Sequence, residues 1–254
     1  MNSHKNSQFY RQFYDQATIT GENVGAEERV PVTLSMLPNG VRSVLDLGCG
    51  DGTLLGAMDE TLFKVGIDIS HTALRLVKRG HPILASSEAL PFKQGAFDLL
   101  MCTEVLEHLP SAMFEATLDE IQKTAKKYIL ISVPFDEDLA QKETLCANCG
   151  HIFHIHLHLR SFDLPRLKRM FDLYNLKEFR FSGPTERTVP SWVLKVRRQC
   201  GRRWEWDKNI MCPRCGHKNH QRPKRTVISL ITSILADVAG KKHPKWVSAL
   251  YERQ

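Results

Sequence analysis

No stretch of this 254-residue sequence is long and apolar enough to cross a bilayer. The longest apolar run, residues 227–239, contains Asp237 and several hydroxyl side chains, whereas a spanning helix needs about 20 apolar residues. The first fifteen residues, MNSHKNSQFYRQFYD, are polar and aromatic and lack the apolar stretch of a secretory leader. These absences lead to the expectation of a cytoplasmic protein. There is no low-complexity linker and no internal repeat apart from one duplicated cysteine pattern, so a repeat architecture is excluded. In a cytosolic chain such paired cysteines read as metal or redox chemistry rather than a disulfide framework.

What is present suits one large α/β domain with insertions. Hydrophobic residues make up 42% of the chain, enough for a core. Charge is unevenly placed. Residues 1–140 carry 12 lysines and arginines against 19 acids, residues 141–225 carry 19 against 7, and residues 226–254 carry 4 against 2. The basic excess therefore belongs to one segment. It suits an anionic partner, such as nucleic acid, a phosphorylated metabolite, a nucleotide-linked sugar or a membrane surface. It equally suits a solvated basic face.

Strand and helix patterns alternate from residue 41 onward. Strands are expected at 41–47, 63–67, 83–85, 97–102 and 128–133, with helices at 53–59, 71–79 and 113–124 between them. Further on, the pattern predicts an amphipathic helix over 161–174, a sixth strand at 177–181, a helix over 227–239 and a last strand at 246–251. Residues 5–36 read as preceding helices, with Pro31 in a first helical turn. The stretch 182–223 is basic and weakly periodic. Such alternation predicts a doubly wound, mostly parallel seven-stranded sheet.

The segment VLDLGCGDGTLL, residues 44–55, carries the chemistry. An apolar strand ends in Asp46, and glycines follow at 48, 50 and 52. A second strand ends in Asp68. Glycines let a backbone turn tightly and approach a ligand, and an acid at the next strand end accepts hydrogen bonds from ribose hydroxyls. A dinucleotide fingerprint would need glycine or alanine at position 53, which is Thr53. The D-x-G-x-G-x-G pattern instead resembles motif I of the class I S-adenosylmethionine (SAM)-dependent methyltransferases.

That resemblance implies a SAM site on Asp46, Gly48, Cys49, Gly50, Asp68 and Ile69. Glu88-Ala-Leu-Pro-Phe92 is similar to the family's segment after strand three, which implicates Ser86, Ser87 and Glu88 at the adenine ring. Residues 97–110 resemble strand four and its loop, where Cys102 and Thr103 would line the methionine end and Glu104 is a candidate catalytic group. His158-Leu-Arg-Ser-Phe-Asp163 resembles the family's H-x-x-x-F segment. It makes His158 a candidate general base and acceptor contact, with Arg160 and Tyr14 as further substrate-binding candidates.

Cys146-Ala-Asn-Cys149-Gly and Cys212-Pro-Arg-Cys215-Gly form two matched knuckles. Each places two thiolates on one turn, and together they supply the four ligands of a tetrahedral structural zinc site. A mixed site using His151 or His154 and a redox-active disulfide are alternatives. The expected organisation is a helical cap at 1–36, a SAM-binding core at 37–140, a basic zinc-binding insertion at 141–225 interleaved with a core helix and strand six, and a C-terminal helix and strand at 226–254. The expected function is methyl transfer from SAM to an anionic or polar acceptor, a small molecule or a sugar-containing metabolite or glycan precursor. The alternatives are an RNA methyltransferase with a basic zinc lobe, and a non-catalytic nucleic-acid- or protein-binding module on the same scaffold.

Overall fold

The computed structural model describes Phe13, Asp15 and residues 25–200, 204–208, 210–218 and 226–254. The chain divides into two compact units. The first comprises Met1–Pro134, Phe162–Gly183 and Trp246–Gln254, and the second Phe135–Ser161 and Pro184–Lys245.

The first unit is built on a sheet whose strands are β1 (Ser43–Leu47), β2 (Phe63–Asp68), β3 (His81–Leu84), β4 (Phe97–Thr103) and β5 (Ala125–Pro134). These five pair in parallel. Two longer strands, β8 (Tyr174–Arg187) and β9 (Lys242–Arg253), complete the order β3-β2-β1-β4-β5-β9-β8, with β9 antiparallel to β5. The seven-stranded, mostly parallel sheet is therefore as the sequence led us to expect. The last four residues of β1 and five of the seven in β4 are buried, as strands covered on both faces must be. One cluster packs Val44, Leu99, Met101, Leu130 and Leu250 with Met36, and another packs Cys49, Leu55 and Leu74.

Register places the site. Leu47 pairs with Ile67 of β2 on one side and Cys102 of β4 on the other. The carboxyl ends of the three strands are therefore level, and strand order reverses at β1. Open α/β sheets bind ligands at this switch point. Helices α1 (Ala26–Leu34), α2 (Thr53–Ala57), α3 (His71–Leu74), α4 (Ser111–Thr124) and α5 (Leu164–Lys168) are the described α-helices of this unit.

Several boundaries differ from expectation. Pro31 lies inside α1, not in its first turn. The helix expected over 161–174 is only α5. Asp163 caps it and it closes at Lys168, yet Leu167, Met170 and Phe171 are still buried. The apolar pattern was a true burial signal, but the last two of these residues reach the core from outside the helix. The strands expected at 177–181 and 246–251 extend to β8 and β9.

In the second unit, β6 (Glu143–Leu145) and β7 (Ile152–His154) form an antiparallel hairpin. Helices α6 (Ser191–Gln199) and α7 (Val227–Ala239) pack on each other around Val189, Val193, Leu194 and Ala236. The hairpin and α6 were not anticipated from sequence.

Candidate functional site

The turn after β1 is held from both sides. Gly48 and Cys49 donate their backbone N–H groups to the Ile67 carbonyl at 2.7 and 2.9 Å. Gly50 donates to Asp68 Oδ2 at 2.9 Å, and Ser70 N–H donates to Asp68 Oδ1 at 2.7 Å. Asp68 therefore clasps the glycine loop to the start of α3 and keeps lone pairs on both oxygens for further donors. Gly48 and Gly50 have φ of 78° and 54°. A Cβ at Gly48 would lie 2.2 Å from Val105 Cγ2, whereas one at Gly50 would meet nothing within 4 Å. The space over Gly50 is open.

Asp46 sits beneath this turn at 1% exposure, and its Oδ1 has no hydrogen-bond partner among the described residues. Burial, and secondarily the Asp68 charge, pushes its pKa up to about 7. Burial also raises Asp68, against the opposing pull of its backbone N–H donors. A buried polar atom without a partner calls for a missing one, and a raised carboxyl beside an open glycine turn suits a cationic ligand group.

The other sequence-designated residues fall around the same strand ends, with different roles. Cys49 turns its thiol into the packing against Gly66 and Leu55, so only its backbone can face a ligand. Cys102 is wholly buried in β4, which raises its thiol pKa. Thr103 and Ile69 are half-buried at the ends of β4 and β2. Ser87 Oγ is engaged with Thr117 Oγ1 at 2.9 Å, Ser86 is half-buried and Glu88 is exposed. Glu104 has φ of 57° and accepts from Trp246 Nε1 at 2.8 Å and Arg29 Nη1 at 2.9 Å. Its carboxylate anchors the loop after β4 between β9 and α1. Sequence reasoning missed this clamp, and it missed Asp15, which accepts from Ser70 Oγ beside Asp68. Neither partner lies in a motif. Tyr14 lies outside the described residues.

The second unit holds the remaining candidates. The four knuckle sulfurs converge: Cys146 and Cys215 are 3.6 Å apart, Cys149 and Cys212 are 3.7 Å apart, and all four lie within 4.8 Å of one another. The two knuckles are built alike. Cys146 N–H donates to the His151 carbonyl and Cys212 N–H to the His217 carbonyl, both at 2.9 Å. Gly150 and Gly216 donate to the first cysteine's carbonyl at 2.9 Å, with φ of 67° and 71°.

His158 Nδ1 is 2.6 Å from Glu137 Oε2, and His154 Nε2 is 3.4 Å from Glu137 Oε1. His154 Nδ1 accepts backbone N–H groups from His156 and His158, both at 3.2 Å. That fixes the His154 proton on Nε2, where it faces Glu137. Burial opposes ionisation of Glu137, but its histidine partners overcome this and hold the carboxyl below the usual range. Burial keeps His154 low. Glu137 Oε2 accepts from His158 Nδ1–H, and in the tautomer that this bond selects the ring's lone pair lies on Nε2. Glu137 was not anticipated, since only the fold brings it to the histidines. Arg160 is buried rather than displayed on a basic surface. Of the basic and aromatic residues that alternate around Trp192 to Trp206, Arg198 lies over the Trp204 ring at 4.7 Å and bonds Glu143 at 2.9 Å. That pair is used in internal packing.

Residues 25–178 match the model of the methyltransferase domain family. The chain belongs to that family. Its fold agrees. A Haloferax volcanii methyltransferase, solved in complex with the Trm112 methyltransferase activator, superposes over 94% of this chain and 97% of its own with a TM-score of 0.58 at 15% identity. A SAM-dependent methyltransferase from Thermotoga maritima superposes over 96% and 99% with a TM-score of 0.56 at 13% identity. Among curated relatives, an uncharacterized protein of Methanocaldococcus jannaschii is 34% identical over 130 residues, covering 50% of this chain and 56% of that protein. A ubiquinone biosynthesis O-methyltransferase of Albidiferax ferrireducens is 38% identical over 87 residues, covering 30% and 34%. This methyltransferase thus spans about half or less of the length of those relatives.

Proposed function

We propose that the protein binds SAM at the carboxyl ends of β1, β2 and β4 and transfers its methyl group to an oxygen of a polar or anionic small acceptor. The observation that carries this reading is the clasp of Gly50 by Asp68 over a buried, partnerless Asp46 oxygen. Asp68 would hold the ribose hydroxyls, Gly48 and Gly50 would admit the methionine end, and Asp46 would face its positive charge. Ser86 and the Ser87 backbone would border the adenine, and Thr103 would line the loop beside the methyl group. Bound SAM supplies a sulfonium-activated methyl group. The chain's own contribution is to position the donor and acceptor and to exclude water.

The ubiquinone biosynthesis relatives, which are named O-methyltransferases, support an oxygen acceptor. A hydroxyl must lose its proton, and His158 is the candidate base. Its support is the H-x-x-x-F resemblance together with the tautomer that Glu137 imposes. Arg160, from the same segment, and Tyr14 remain acceptor-binding candidates. Glu104, tied to Arg29 and Trp246, serves this reading as a loop anchor rather than as an acid or base.

We further propose one structural zinc on Cys146, Cys149, Cys212 and Cys215. Ligands about 2.3 Å from a tetrahedral zinc lie about 3.8 Å from each other, and the sulfur separations of 3.6 and 3.7 Å fit this. A small acceptor is favoured over RNA because Arg198 and Trp204 are spent on internal packing. The direct test is calorimetric SAM binding, followed by incubation of labelled SAM with small-molecule, glycan, RNA and protein pools. No SAM binding at micromolar concentration would overturn the enzyme reading in favour of a binding module on a degenerate scaffold.

A further inference from the structure

Helix α7 carries its apolar residues on the outside. Val227, Leu230, Ile231, Ile234, Leu235 and Val238 recur at intervals of three and four, and all are exposed, Ile234 to 64% and Val238 to 81%. The opposite face, buried in the second unit, is Ser229, Thr232 and Ala236. This is the reverse of an ordinary surface helix, whose apolar stripe faces its core. Folding does not require it. Valine and isoleucine are poorer helix formers than alanine or leucine, and here most of them stay more than half exposed. The helix is well terminated in its own right, by a reciprocal Thr226–Ser229 capping box. A continuous exposed apolar face of this kind marks an interaction surface.

The surrounding charge identifies the partner. Residues 222–245 hold six cations, Arg222, Lys224, Arg225, Lys241, Lys242 and Lys245, and one acid, Asp237. In the sequence these cations lie on both sides of the helix, and Lys241 and Lys242, just past its end, are exposed. Two copies of this chain joined along α7 would bring like charges together. An anionic surface would gain from both the cations and the apolar stripe. At 13 residues the helix is about 20 Å long, short of the ~30 Å hydrocarbon core. It therefore has the length and the patterning to lie along a bilayer rather than to cross one.

We propose that α7 is an interfacial membrane helix that docks this methyltransferase on anionic lipid. The proposal does not depend on the acceptor or on SAM binding. It is tested by co-sedimentation of the full chain with phosphatidylglycerol-containing vesicles and with pure phosphatidylcholine vesicles. The wild type should bind the anionic vesicles at least about tenfold more tightly, given roughly fivefold per lysine near such a surface. Ile231→Glu/Ile234→Glu should lose at least about tenfold on anionic vesicles, and so should Lys241→Glu/Lys242→Glu. The lysine pair leaves the apolar stripe intact and guards against a folding artefact in the first variant. Circular dichroism and SAM affinity should match wild type in both. No binding to either vesicle, or equal binding to both, overturns the proposal. So does a dimer in analytical ultracentrifugation that Ile231→Glu/Ile234→Glu converts to monomer without any vesicle binding, which would assign the face to a second copy.

Discussion

Asp46 is protonated in the folded, ligand-free protein up to about pH 7, because burial and then the Asp68 charge raise its pKa. Unfolded, it ionises near its ordinary value of 3.8. Between these values the folded state binds a proton that the unfolded state does not. Stability of the ligand-free protein should therefore fall as pH rises through this window, by as much as about 4 kcal/mol. A cationic ligand favours the carboxylate, so SAM binding below pH 7 must expel that proton. Affinity should then fall about tenfold per pH unit below 7 and level off above it. Calorimetry across the range would show this, and Asp46→Asn should flatten the profile; a flat wild-type profile would take Asp46 out of the site. Asp68→Ala removes the charged hydrogen bond to Gly50 and, in the proposed SAM pose, those to the ribose, and should weaken SAM binding by about 1.5–3 kcal/mol. Gly48→Ala places a methyl group 2.2 Å from Val105 Cγ2 at a φ of 78°. It should lower the melting temperature as well as SAM affinity, which separates it from the Asp68 variant.

At the scale of elements, the two knuckles belong to segments far apart in sequence, and a metal would join them across the second unit. Protein purified without added metal should carry about one zinc per chain by elemental analysis. Cys146→Ser should release it and increase hydrogen exchange in β6, β7, α6 and α7 far more than in β1 to β5. A metal-free wild type with equally protected knuckles would remove the zinc. His158→Ala should lower kcat on the order of 10²-fold with SAM affinity unchanged, as loss of a general base does. Strands β1 to β5 of the first unit were legible because each has a local signature. The β1 turn announces itself through Asp46, Gly48, Gly50 and Asp68, and Ser70 caps α3 as its sequence position suggests. The cysteine convergence was legible because both knuckles repeat one pattern. Three features were hidden because they depend on distant partners: Glu137 meeting His154 and His158, Glu104 held by Arg29 and Trp246, and the short α5 whose flanking apolar residues mimic a longer helix. Helix α6 was hidden by composition, since its basic residues mask a buried face of only Val193 and Leu194.

At the scale of the molecule, charge divides with the two units. The first carries 18 lysines and arginines against 20 acids, and the second 17 against 8. A basic unit attracts RNA, an anionic small acceptor and an anionic surface alike, and ionic strength distinguishes them. RNA contacting roughly five cations would lose about a hundredfold in affinity between 50 and 200 mM salt, since the slope for single strands is about −0.7 per phosphate neutralised. A small acceptor with one or two phosphate or carboxylate groups releases few counterions and should lose less than about fivefold over the same range. The guanidinium of Arg198 is already shared between Glu143 and Trp204, and Arg197 donates to Thr232 on α7. That side-chain economy leaves fewer cations for a polyanion than the sequence count suggests. The acceptor KM should therefore rise by only a small factor with salt while SAM affinity stays nearly constant. A hundredfold rise in the acceptor KM, at unchanged SAM affinity, would instead establish the second unit as an RNA-binding lobe.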